Sequence, residues 1–127
     1  MAKVSHMVLP VSDVRKSRDW YVDKLGFTVE REHEGVVGIK DQAGVTIFLQ
    51  EAAGILPGHK LTLTIQVDNV DSKHEELASQ GVKFVSPPKL QFWGYGAEVL
   101  DPDGYINHLW DEVTMNKAVR EAGARRD

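Results

Sequence analysis

The chain has 127 residues, 42% hydrophobic and 27% charged, the balance of one ordinary globular domain with a packed core. Its net charge of −4 offers no basic field for nucleic acid, and Arg120, Arg125 and Arg126 in the tail alternate with Glu121 and Asp127 as a solvated end would. The absence of cysteine excludes disulfide frameworks, thiolate nucleophiles and Cys-based zinc sites. No apolar run approaches the roughly 18 residues of a membrane span and no signal-like segment opens the chain, so a cytoplasmic location is expected.

An extended segment from His6 ends at Ser12-Asp13, residues that cap helices, and a helix-spaced series Val14, Arg18, Tyr21 follows. The helix is expected to stop near Leu25-Gly26. Strand-like segments come next at Thr28–Glu34, Val36–Lys40 and Val45–Glu51, the last entered through the turn Asp41-Gln42-Ala43-Gly44. Residues 52–59, rich in breakers, read as a linker between a first unit over 3–51 and a second over 60–112.

The second unit repeats the first. Thr62-Leu63-Thr64-Ile65-Gln66-Val67 falls over His6–Val11, and Val70, His74 and Leu77 fall over Val14, Arg18 and Tyr21. A helix ending near Gln80-Gly81 and strands at Lys83–Val85, Ala97–Leu100 and Tyr105–Asp111 complete it, with Asp101-Pro102-Asp103-Gly104 over the earlier turn. Each half reads β-α-β-β-β, giving one α/β (α+β) domain over 1–127 of two tandem βαβββ units. The tail, 113–127, is expected to form a short helix with Met115, Val119 and Ala122 on one stripe, covering the sheet or a subunit partner.

Alternation assigns the faces. Leu61, Leu63, Ile65 and Val67 are expected beneath the second helix, so Thr62 and Thr64 face the other way, and by the repeat His6 and Val8 do so with Met7 and Leu9 beneath the first helix. Ile106, His108 and Trp110 alternate with Asn107, Leu109 and Asp111. Phe92, Trp93 and Tyr95 are expected in a glycine-containing loop. His33, His59 and His74 read as surface residues, Trp20 as packing, and Glu51, Asp111 and Glu112 as solvated strand-end carboxylates. No glycine-rich phosphate loop or Gly-x-Ser-x-Gly elbow is present.

The early His, Val11-Ser12-Asp13, Asp19-Trp20-Tyr21, Leu25-Gly26-Phe27, Trp93-Gly94 and the Asp101–Tyr105 turn, in that order, resemble the vicinal-oxygen-chelate superfamily of glyoxalases, bleomycin-resistance proteins and extradiol dioxygenases over about residues 3–112. The resemblance implies two four-stranded, mostly antiparallel sheets with a helix each, forming an open barrel-like cavity completed in a homodimer. It places His6, Phe48, Thr62 and His108 at the four metal-site corners, where metal-dependent relatives carry three or four His and carboxylate ligands.

Two imidazoles, a hydroxyl and a phenyl ring depart from that pattern, since a catalytic divalent ion normally takes three protein ligands. Glu98 is the candidate third donor. A set of His6, His108 and Glu98 would suit non-haem iron or manganese, with nickel or zinc as further divalent candidates. The other readings are two pocket histidines without metal, or two metal-free acid–base groups. Phe48, Thr62, Thr64, Trp93, Tyr95, Glu98 and Trp110 are the candidate ligand-binding residues, an aromatic wall with a few polar groups. The expected function is a small-molecule-binding protein of bleomycin-resistance type. The alternative is a metal-dependent lyase, transferase or dioxygenase. Neither involves nucleic acid or a membrane.

Overall fold

The computed structural model describes residues 5–54 and 61–124. Its internal contacts divide the chain into two compact units on either side of residue 59. No described helix is long and apolar enough to cross a membrane. Residues 55–59 of the expected linker, including His59, and the tail residues Arg125, Arg126 and Asp127 lie outside the described residues.

The first unit runs β1 (Met7–Val11), α1 (Val14–Leu25), β2 (Thr28–His33), β3 (Val36–Lys40) and β4 (Thr46–Glu51). Its sheet has the order β1-β4-β3-β2, with β1 parallel to β4 and the other pairs antiparallel. Helix α1 starts because the Asp13 carboxylate accepts from the Arg15 and Lys16 backbone N–H groups. It ends at Gly26, whose φ of 75° lets its N–H reach back to the Tyr21 and Val22 carbonyls. Tyr21 is fully buried with Leu9, Val11, Val37, Ile39, Ile47 and Leu49, side chains each worth about 1.5–3 kcal/mol when removed from water. Met7, expected under the helix, is instead 39% exposed, because it opens β1 ahead of the buried series.

Arg18 lies at the helix margin. Hydrogen bonds to the Asp19 and Glu32 carboxylates hold its guanidinium above the ordinary arginine value, against a smaller opposing effect of burial. The Arg18 Nη1–Glu32 Oε1 pair is short at 2.7 Å, but Glu32 is largely solvated. Glu32→Gln should therefore cost under about 1 kcal/mol in thermal denaturation.

The second unit repeats the order as β5 (Thr62–Gln66), α2 (Val70–Ser79), β6 (Phe84–Gln91), β7 (Gly94–Leu100) and β8 (Ile106–Trp110), then adds α3 (Glu112–Ala124). Its sheet is β5-β8-β7-β6, with β5 parallel to β8. The tandem βαβββ arrangement is thus present in both halves, and each sheet stays open, with two edge strands, within its own unit. Asn69 caps α2 through its side-chain oxygen, which accepts from the Ser72 N–H. The repeated turns are built alike: Asp41 Oδ1 accepts from the Val45 N–H, and Asp101 Oδ1 from the N–H groups of Asp103 and Tyr105.

Strands β6 and β7 are longer than their composition suggests. Pro87 and Pro88 read as breakers, yet they sit in an edge strand, where a missing N–H need not break the ladder, and register shifts flank them. Phe92 and Trp93 consequently form a tight hairpin turn, not a long loop, and Tyr95 lies within β7. Helix α3 packs on β7 through Met115, whose sulfur accepts the Tyr95 backbone N–H at 3.0 Å. Gly94 makes room: its φ is 132°, and a Cβ there would lie 2.4 Å from that sulfur. Ala122 is half-buried, whereas Val119, the middle of the expected stripe, is 53% exposed.

The largest departure from expectation is Asp111. It is buried at 2% exposure, not solvated, and serves the N-termini of two helices. Its Oδ2 accepts from the Val70 N–H at the start of α2 and from the Thr114 hydroxyl, while Oδ1 accepts from the Thr114 N–H in the first turn of α3.

Candidate functional site

Along β8 the side chains part cleanly. Asn107, Leu109 and Asp111 enter the core, and Ile106, His108 and Trp110 occupy the open face. Strand register extends His108 into a row across the second sheet: Thr64 on β5, His108 on β8, Glu98 on β7 and Ser86 on β6. Thr64 is exposed. His108 Nε2 lies 3.1 Å from Glu98 Oε2, with the two side chains 15% and 19% exposed. At the far end, Ser86 Oγ accepts from Gln91 Nε2.

Trp93 closes over this row. Its indole lies parallel to the His108 imidazole, with centroids 4.3 Å apart and planes 5° apart. The hairpin turn places the Trp93 ring over Gly96: a Cβ there would lie 2.4 Å from the ring and 2.2 Å from the Leu109 carbonyl oxygen. The buried Trp93 Nε1 has no hydrogen-bond partner among the described residues.

The first unit uses a similar device. Phe48 on β4 pairs with Val8 on one side and Gly38 on the other. A Cβ at Gly38 would come within 3.0 Å of the Phe48 ring. His6 meets the Phe48 ring edge-on at 4.6 Å, and its Nδ1 lies 3.0 Å from the Ser5 hydroxyl. Both units therefore seat an aromatic ring over a strand glycine. Isolated glycines inside strand patterns signal such close approach, and Gly38 and Gly96 are the site-building residues that side-chain inventory passes over.

The expected site residues do not all gather. His108, Glu98, Thr64 and Trp93 form one cluster, with Trp110 one alternation further along β8. Thr62 lies on the same face of β5, opposite Ile106. Tyr95 goes elsewhere: its hydroxyl donates to Asp71 Oδ1, at the start of α2, at 2.9 Å. Burial, then the Asp71 hydrogen bond and charge, push that phenol above its ordinary value. Phe92 at the turn is 98% exposed. His33 is exposed, but His74 packs edge-on against Phe84 at 4.7 Å and is not simply a surface residue.

The donor chemistry bears on metal binding. In the first unit the neighbour of His6 is a phenyl ring, and in the second His108 Nε2 is turned to Glu98. Among the described residues no group of three or more His, Asp or Glu side chains gathers as metal ligands. The residues present do not fit the three-donor set of a catalytic divalent ion.

The family model for the Glyoxalase/Bleomycin resistance protein/Dioxygenase superfamily matches residues 3–109. An uncharacterized protein from Shewanella frigidimarina is 30% identical over 129 residues, spanning 89% of this chain and 93% of that protein. Among solved structures, TnmS3, an antibiotic binding protein from Streptomyces sp. CB03234, superposes with a TM-score of 0.73 at 28% identity, over 87% of this chain and 96% of that one. A superfamily member from Sphaerobacter thermophilus gives a TM-score of 0.72 at 25% identity, over 87% and 98%. Order of elements, register and family match agree: the chain belongs to the Glyoxalase/Bleomycin resistance protein/Dioxygenase superfamily.

Proposed function

We propose that this protein binds a flat aromatic small molecule, of the kind found among antibiotics, on the open face of its second sheet and does so without a metal ion. The observation that carries the reading is the parallel stack of Trp93 on His108, with Glu98 on the imidazole nitrogen. A face presenting Trp93 and Trp110 beside a few polar groups suits recognition of planar rings. The likeness to an antibiotic binding protein at 28% identity supports it. The reading includes a cytoplasmic homodimer whose partner subunit would help close the open sheet faces, a state that sedimentation would test.

Titration of intrinsic tryptophan fluorescence with a panel of aromatic antibiotics tests the proposal. Saturable quenching is expected, weakened about tenfold or more by Trp93→Ala, since an aromatic stack contributes about 1 kcal/mol beyond the area it buries. Failure of every aromatic ligand to bind would overturn it. The competing reading is a metal-dependent lyase, transferase or dioxygenase, to which the second unit would contribute His108 and Glu98, 3.1 Å apart. Elemental analysis of tag-free protein decides between them: stoichiometric metal, lost in both His6→Ala and His108→Ala, would replace the binding reading by the metal one.

A further inference from the structure

We infer that Gln91 is the positioning residue of this aromatic face: its carboxamide holds the β6–β7 hairpin in the shape that seats Trp93 over His108. Its effect on ligand binding rests on the aromatic-binding reading above.

The backbone of this hairpin does little to hold itself. Gln91 pairs with Gly94, so Phe92 and Trp93 are the two central residues of the turn. The favoured two-residue hairpin turns need a positive φ at the first central residue, and neither Phe92 nor Trp93 has one. Turns of the ordinary hand splay the strands they join. Behind the turn, only the pairs Gln91–Gly94, Leu90–Tyr95 and Lys89–Gly96 form before the register shifts at Pro87 and Pro88.

The Gln91 side chain spans that weak stretch. Its Nε2 donates to Ser86 Oγ at 2.8 Å, five residues back along β6. It donates more weakly, at 3.4 Å, to the Gly96 carbonyl on β7. Ser86 Oγ can accept because its own proton goes to the Pro87 carbonyl at 2.9 Å. A carbonyl and a hydroxyl already donating elsewhere both call for the amide nitrogen, which fixes the orientation of the carboxamide. Ser86, at 5% exposure, is a buried anchor.

One side chain thus ties the turn to β6 beyond the prolines and to β7 at Gly96, the residue under the Trp93 ring. The indole has no hydrogen bond of its own to hold it, since Nε1 is without a partner among the described residues. Its parallel stack on His108 therefore follows the hairpin.

The test reads near-ultraviolet circular dichroism of the wild type, Trp93→Ala, Gln91→Met, Ser86→Ala and the Gln91→Met/Ser86→Ala double variant. The band that Trp93→Ala removes is the signature of the ordered indole. Gln91→Met keeps the length of the side chain without its donor, and should lose most of that band. Its thermal midpoint should fall by only about 4 °C, the worth of one hydrogen bond. Ser86→Ala should lose a similar share, and the double variant no more than Gln91→Met, because both remove the same bond. Calorimetric titration with 2-naphthol should show binding about fivefold weaker in each variant. A Trp93 band intact in Gln91→Met would overturn the inference, as would single losses that add in full in the double variant. Should Gln91→Met not fold, an intact band in Ser86→Ala would overturn it equally. Loss of the band with unchanged 2-naphthol affinity would establish the positioning role and sink the reading that the ligand stacks on Trp93.

Discussion

Asp111→Ala is expected to lower stability by about 3 kcal/mol, and the thermal midpoint by about 10 °C for a chain of this size. The carboxylate is buried and accepts three hydrogen bonds of 2.7–2.8 Å, from the Val70 N–H, the Thr114 N–H and the Thr114 hydroxyl. Two of those donors are N–H groups at helix N-termini, which have no partner among their own helix's carbonyls. Alanine leaves both without their acceptor and removes the cap that starts α3 directly after β8. Since β8 carries His108 and Trp110, loosening this junction should also weaken ligand binding. A midpoint within about 2 °C of wild type would show that water takes over the role of the carboxylate.

The same residue sets a pH dependence. Burial pushes the Asp111 carboxyl up, but the hydrogen bonds from the Thr114 and Val70 backbone and the Thr114 hydroxyl outweigh it and leave the group below the ordinary carboxylate value. A group whose folded value is depressed contributes stability above its unfolded value, near pH 4, and loses it as pH falls through the folded value. The wild type should therefore lose stability on acidification below about pH 4 more steeply than Asp111→Asn, which has no charge to lose. Parallel denaturation curves for the two proteins would assign the acid sensitivity to other groups.

Asp111 also marks where sequence reasoning reached its limit. Period-2 alternation groups it with Asn107 and Leu109, which the structure buries. Its charge and its place at a strand end argued for solvent, and charge was the poorer guide because the compensating donors lie 41 residues away, at the start of α2. The repeat itself was legible, since caps such as Asp13 and Asn69 and turns such as Asp41–Gly44 act locally and carry their chemistry in neighbouring residues. The site was legible only in part. Alternation put His108 on the open face, but its contact with Glu98 depends on β7–β8 register, and the Trp93 stack depends on a hairpin that two prolines disguised. The place of Tyr95 has the same cause: β7 begins at Gly94, so Tyr95 lies in a strand and not a loop, and its hydroxyl reaches Asp71 at the start of α2.

That hairpin makes Gly96 the position where one methyl group should do most to the site. A Cβ there would stand 2.2 Å from the Leu109 carbonyl oxygen and 2.4 Å from the Trp93 ring. The ring can yield by rotating, but the carbonyl belongs to the backbone of β8, so the two strands must separate or shift. Such overpacking costs about 1–3 kcal/mol. Gly96→Ala is expected at the upper end of that range, with loss of the near-ultraviolet circular dichroism of the ordered indole and of aromatic-ligand quenching. Gly38→Ala is the internal comparison, because its Cβ would meet side-chain atoms and no backbone, the Phe48 ring edge at 3.0 Å and the Arg31 Cβ at 3.7 Å. It should cost about 1 kcal/mol and leave ligand affinity within twofold. Adding Trp93→Ala to Gly96→Ala removes the ring clash but not the backbone one, so the double variant should recover only a minor part of the lost stability. Full recovery would mean that the indole alone requires the glycine and that the β7–β8 pair tolerates the methyl group.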